Sequence, residues 1–216
     1  SQIKQIVIDE AQDYNLLQYI ILRKIFPRAA FTILGDVNQT INPVYHYDSL
    51  ERLCRVLVKD YRYLELTKTY RSSPEIIEYS NRILGLRYAV SVRRENHVPV
   101  TEVKVTKAKD LKPYLEKLVS SYHKVAVITK TDDEAEDVYQ SLHEDFEELR
   151  LLRDSGVQFM GNLVIVPSYL AKGLEFDAVI IYTEEIDPYQ QEEKYLYYVA
   201  VTRAQHCLVL VNQQSW

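Results

Sequence analysis

The sequence predicts an α/β fold: a parallel sheet flanked by helices. Three observations predict it. Strings such as Val125-Ala126-Val127-Ile128 are apolar without alternation, which marks strands buried on both faces. Segments with a helical period lie between successive strings of this kind, the order expected of a layered α/β domain. The composition, 47% apolar and 26% charged over 216 residues, is that of a globular chain. No repeat, low-complexity tract or long linker interrupts it.

The elements follow in order. Ile3-Lys4-Gln5-Ile6-Val7-Ile8 is already a strand, and it ends in Asp9-Glu10. With no initiator Met ahead of it, the chain reads as a piece of something longer. Leu16, Leu17, Ile20, Ile21 and Ile25 carry a helical period that Pro27 closes. Phe31–Leu34 is a second short strand, closed by Gly35-Asp36. A helix starts near Ser49 without the Glu of a capping box, so its boundary is loose. From about residue 61 a regular alternation begins. Strands are expected at Arg62–Leu66, Thr101–Thr106, Val125–Thr129, Leu163–Val166, Ala178–Tyr182 and Cys207–Val211. Helices are expected at about Pro74–Leu84, Leu111–Tyr122, Asp133–Phe146 and Glu192–Ala204, with Pro74 and Asp132-Asp133 as start signals.

Charge and cysteine usage narrow the function classes. A net charge of -5 excludes a protein that coats nucleic acid with basic surface, although a local basic groove stays open. Cys54 and Cys207 lie far apart without ligand spacing, so neither zinc nor a disulfide framework is indicated. Reduced cysteines, no apolar run near the ~18 residues of a span and no signal segment lead to the expectation of a cytoplasmic protein without a membrane partner.

The strongest local signal is Ile6-Val7-Ile8-Asp9-Glu10-Ala11-Gln12-Asp13. A hydrophobic strand that delivers two carboxylates at its end is how nucleotide hydrolases place a metal ligand and a water-activating base. Taken alone, two acids capping the helix that begins near Tyr14 is an equal reading. Four further strings accompany it: Ile33-Leu34-Gly35-Asp36-Val37-Asn38-Gln39, Thr67-Lys68-Thr69-Tyr70-Arg71-Ser72, Ser168 to Asp177, and Tyr197 to Ala204. In that order, over nearly the whole length, the chain resembles the C-terminal part of UvrD/Rep-type superfamily 1 helicases.

The resemblance implies a RecA-like P-loop NTPase fold, with residues 1–60 as the end of a first motor domain and 61–216 as the second. It implies ATP and Mg²⁺ as ligands. Asp9 corresponds to the Mg²⁺-binding acid and Glu10 to the general base. Gln39 corresponds to the side chain that senses the γ-phosphate; an ordinary turn residue is the alternative. Tyr70 corresponds to the ring that stacks on adenine, and Arg71 and Arg203, the latter on a helix, to two arginine fingers. Glu175 corresponds to a ribose-contacting acid, with Gly173 marking a close backbone approach. Lys172 is equally well a solvated lysine. Tyr195, Tyr197 and Tyr198 read as core and rim.

Three departures qualify the resemblance. No Gly-x-x-x-x-Gly-Lys-[Ser/Thr] occurs, so the chain holds half of an ATP site and needs a missing N-terminal motor domain in cis. Asn42 stands where an aromatic residue is expected to stack on single-stranded bases, with Tyr45 or Tyr47 as substitutes. The interval from Arg71 to Glu175 is filled by the elements above and leaves no room for a large inserted domain. The Asp9–Tyr14, Phe26–Ala29 and Tyr169–Asp177 strings look most like the HelD branch, which implies nucleic acid, DNA in the first instance, and RNA polymerase as partners. The alternatives are the motor half of a conventional 3′-to-5′ DNA helicase and, from another class, a nucleotide-free interaction module.

Overall fold

The computed structural model describes residues 3–41, 46–58, 60–86, 89–93, 97–154, 161–213 and 216. They fall into two units, Ser1–Leu66 and Thr67–Trp216. Asn42 and Tyr45 lie outside the described residues. Among the described residues no helix is long and apolar enough to cross a membrane.

In the first unit, strands β1 (Gln5–Ile8) and β2 (Ala30–Ile33) pair in parallel, with Gln5 opposite Ala30 and Ile8 opposite Ile33. Helix α1 (Leu16–Ile25) makes the crossover between them. It starts at a reciprocal cap, in which the Asn15 side chain accepts from the Gln18 N–H and the Gln18 side chain from the Asn15 N–H. Tyr19, Ile6, Ile8, Phe31 and Ile33 form a small core with Leu53 and Leu57 of helix α2 (Glu51–Leu57). The other face of α1 is bare: Leu17, Ile21 and Ile25, one turn apart, are exposed, as is Val7 of β1.

The second unit holds the regular alternation. A two-residue pair, β3 (Lys68–Thr69) with β4 (Val90–Ser91), flanks helix α3 (Pro74–Leu84). Then come β5 (Thr101–Val103), α4 (Lys112–Ser121), β6 (Val125–Thr129), α5 (Asp132–Leu142) and β7 (Leu149–Leu151). The unit closes with β8 (Leu163–Pro167), β9 (Phe176–Tyr182), α6 (Lys194–Val201) and β10 (Ala204–Val211). The strands form one six-stranded, wholly parallel sheet in the order β5-β10-β9-β6-β8-β7. Alternate residues serve opposite faces. Ala126, Ile128, Val164, Val166, Val179 and Ile181 pack under α3 and α6, while Val125, Val127, Ile165, Ala178 and Ile180 pack under α4 and α5.

Several expected boundaries move, for local reasons. Arg62–Leu66 is not a strand; Leu64 and Leu66 are exposed, and the pairing falls instead on Lys68–Thr69. The helix expected over Glu192–Ala204 stops at Val201: the Arg203 N–H turns to the Ala200 carbonyl, only three residues back, and Ala204 already belongs to β10. The helix expected to reach Phe146 ends at Leu142. Asp132 and Asp133 are its first helical residues; the cap is Thr131, paired reciprocally with Glu134. The tyrosines of α6 are core and rim: Tyr197 is buried against Tyr79, Tyr189 and Trp216, with ring centroids 6.4, 4.9 and 5.5 Å away, and its hydroxyl lies 2.8 Å from that of Tyr79.

Candidate functional site

In the first unit the carboxylates sit where the strands end. Two backbone bonds continue the sheet beyond the strands, from the Leu34 N–H to Ile8 O and from the Ala11 N–H to Leu34 O. They hold the turn after β1 against the turn after β2. Asp9 is exposed, and one of its oxygens accepts the Glu10 N–H at 2.8 Å. Glu10 itself adopts a left-handed backbone, φ 49° and ψ 44°, uncommon for a residue with a side chain. Its carboxylate accepts from the Gln12 amide at 2.6 Å. Gln39 lies on the single 3₁₀ turn Val37–Gln39, and its amide donates to Asp36 Oδ2 at 2.9 Å. Tyr47, a candidate base-stacking residue, donates its hydroxyl to Tyr14 O and packs its ring on the small core.

In the second unit the candidate residues gather at the N-terminal ends of β9 and β10. The Ser72 hydroxyl donates to Ala204 O at 2.6 Å and the Ser73 N–H to Gln205 O at 2.9 Å, which stitches the segment after β3 to the start of β10. This brings Arg71 to Glu175, with Nε 2.7 Å from Oε1, and both side chains remain about 40% exposed. The other Glu175 oxygen accepts from the Gln205 amide at 2.9 Å. Tyr70 projects with 75% of its surface exposed. Arg203 lies in the turn after α6, not on the helix, and its carbonyl accepts the Phe176 N–H at 3.0 Å.

Arg203 and Gly173 differ in their surroundings. The Arg203 guanidinium is buried, at 1% exposure, and donates to Val199 O, Leu174 O and the Thr202 hydroxyl at 2.9, 3.2 and 3.1 Å. Gly173 has φ 80°, but nothing lies within 4 Å of where a Cβ would stand. A left-handed backbone of this kind favours glycine, and the space beside it is open. Close packing within the protein is found at Gly35, where a Cβ would stand 2.6 Å from Gln12 Oε1 and 2.9 Å from the Ala11 nitrogen.

The C-terminal ends of β6 and β9, where strand order reverses and open parallel sheets usually receive a ligand, are filled by the protein's own charges. Glu134 is buried, and its carboxylate accepts three backbone N–H bonds, from Lys130, Thr131 and Glu184, at 2.8, 3.0 and 2.8 Å. Burial pushes its carboxyl above the ordinary range, against those three donors. Lys130 pairs with Asp187 at 2.7 Å and Glu193 at 3.0 Å. Burial acts to lower the Lys130 ammonium, but these bonds outweigh it and hold it above the ordinary lysine range. The rim around it is acidic: Asp132, Asp133, Glu184, Glu185 and Asp187 are all exposed.

Sequence reasoning missed Gln12, Asp36, Gln205 and Glu134. Gln12 and Asp36 stand inside motif strings and were open to notice; Gln205 and Glu134 reach partners distant in sequence, Glu175 and Glu184.

Comparisons with known proteins agree with this layout. Residues 1–47 match the family model of the UvrD/REP helicase N-terminal domain, and residues 115–215 that of the UvrD-like helicase C-terminal domain. Asp9, Glu10 and Gln39 fall in the first match and Gly173, Glu175 and Arg203 in the second, while Tyr70 and Arg71 fall between them. The chain is similar to the crystal structure of the C-terminal domain of a possible DNA helicase from Lactobacillus plantarum WCFS1. The two are 29% identical at a TM-score of 0.55, over 68% of this chain and 89% of that one. It shares its fold with the PRRSV helicase, at 18% identity and a TM-score of 0.54; 97% of this chain is covered, but only 35% of the viral one. No curated protein matches. The parallel sheet is that of helicase C-terminal RecA-like domains. Together the matches support a superfamily 1 helicase-like protein.

Proposed function

We propose that the chain is the C-terminal motor part of a HelD-like superfamily 1 ATPase, which couples ATP hydrolysis to the remodelling of RNA polymerase–nucleic acid complexes. In this reading Ser1–Leu66 is the end of a first RecA-like domain and Thr67–Trp216 is the second. The observation that carries it is the second unit's cluster of Arg71, Glu175 and Arg203 at one sheet edge, in a chain whose first unit ends its strands in Asp9-Glu10 and Gln39.

Each residue suits its role. Among the described residues no group of three or more His, Cys, Asp or Glu could hold a metal. An exposed Asp9 fits Mg²⁺ all the same, because this ion needs only one or two carboxylates beside phosphates and water. Held there, Mg²⁺ would supply positive charge against the charge of the nucleotide phosphates. Glu10 orients the attacking water and takes its proton. Arg71 exchanges Glu175 for phosphate oxygens, which releases Glu175 to the ribose, and the exposed Tyr70 ring stacks on adenine. Arg203 acts second, because it must first give up its internal acceptors. Measured alone and free of contaminating ATPases, the 216-residue chain shows no ATP turnover, whereas the full-length protein does; turnover by the chain alone would refute the half-site reading.

RNA polymerase is favoured as partner by the acidic rim at the C-terminal sheet edge, where phosphates would meet like charge and Lys130 is already paired. A conventional DNA helicase is the second reading, favoured by the similarity to a possible DNA helicase. Pull-down from lysate beside a forked-duplex assay separates them. Full-length protein recovers RNA polymerase and unwinds little; robust unwinding without polymerase would put the conventional helicase first.

A further inference from the structure

Gln12 is 1% exposed and sits between the two turns of the first unit. Its amide nitrogen donates to Glu10 Oε2 at 2.6 Å, and its amide oxygen accepts the Asp36 N–H at 3.1 Å. A carboxylate can only accept and a backbone N–H can only donate. A primary amide meets both demands, in one orientation. The site is built tightly around that orientation, since Gly35 leaves the amide oxygen space that a Cβ would close. Beyond Asp36 the row continues. Asp36 Oδ1 holds the Asn38 N–H at 2.9 Å, and Asp36 Oδ2 accepts the Gln39 amide at 2.9 Å. Glu10, Gln12, Asp36 and Gln39 therefore form an unbroken line of bonds. At one end is a side chain hung from a left-handed backbone; at the other is a side chain on a single 3₁₀ turn.

We infer that Gln12 is a positioning residue that fixes the Glu10 carboxylate and, through Asp36, transmits to it any displacement of Gln39. This rests on the reading of Glu10 as the base and Gln39 as the phosphate-sensing side chain. A phosphate that draws Gln39 away from Asp36 alters the anchor of Gln12. The base is then aligned or released according to what Gln39 touches. Neither Asp36 nor Gln12 needs to touch the nucleotide for this.

The test uses the full-length protein for kinetics and the present chain for spectroscopy. Gln12→Leu keeps the side-chain volume and removes both bonds. It should lower kcat on the order of 10²-fold, the scale of small misplacements of reacting groups, with the KM for ATP unchanged and the protein still folded at the assay temperature, although the thermal midpoint falls because the Asp36 N–H loses its acceptor. Asp36→Ser keeps the cap on Asn38 but cannot reach Gln39, and should also lower kcat. The double variant should be no worse than Gln12→Leu alone, because both cut one line. In the ¹⁵N-labelled chain without nucleotide, Glu10→Gln should move the side-chain amide signals of Gln12 and Gln39 together. Should Gln12→Leu fail to fold, Asp36→Ser and the amide signals decide. Additive losses, or an unmoved Gln39 signal, overturn the relay. Turnover lost in Glu10→Gln but kept in Gln12→Leu overturns the relay alone. Turnover that survives Glu10→Gln overturns the base assignment and the relay with it.

Discussion

Arg71→Ala in the full-length protein lowers kcat by about 10³ or more, the scale of an arginine finger, and leaves the fold intact. Its guanidinium is partly exposed and pairs with a Glu175 carboxylate that is itself partly exposed, so its removal strands no buried group. Arg203→Ala lowers kcat to a similar degree but also lowers the thermal midpoint, since the Val199 and Leu174 carbonyls lose a buried donor. Comparing the two variants separates chemistry from packing. Near-normal kcat in folded Arg71→Ala would show that the role does not belong to this residue.

Glu134→Ala destabilises the second unit by about 3 kcal/mol or more, because three backbone N–H groups lose their acceptor at roughly 1–3 kcal/mol each. Urea unfolding measures it. Glu136, two residues on, is the control: its carboxylate pairs with an exposed Arg153, and Glu136→Ala should change stability little. Equal effects from the two variants would mean that the buried carboxylate is not the anchor its bonds describe.

Much of the second unit was legible because its signals are local. Val125–Thr129 is an unbroken apolar run, and the structure buries all five residues. Pro74 opens α3 where it was expected to. The elements that escaped are those whose existence depends on a partner. Lys68–Thr69 and Val90–Ser91 are two residues each and are strands only because they face one another. Leu149–Leu151 is an edge strand too short to show a period. The same division runs through the candidate site. Asp9, Glu10 and Arg71 stand in recognisable strings, whereas Gln205 holds Glu175 from thirty positions away and Glu134 reaches the Glu184 N–H from fifty. Arg203 points inward to the carbonyls of Val199, in its own string, and of Leu174, in another, and backbone carbonyls leave no mark on the residue types.

Trp216 is the single tryptophan of the chain, and it stacks on Tyr197 within the aromatic group of the second unit. Excited tyrosines at Tyr79, Tyr189 and Tyr197 lie close enough to pass their energy to it, so emission from this group is tryptophan-like. The first unit has no tryptophan, so under excitation at wavelengths that tyrosine does not absorb it adds nothing to that emission. A fluorescence midpoint is thus a property of the second unit alone. Circular dichroism, which sums the helices of both units, registers melting of α1 and α2 that leaves the tryptophan signal flat. The chain carries its own optical means of timing the two units separately.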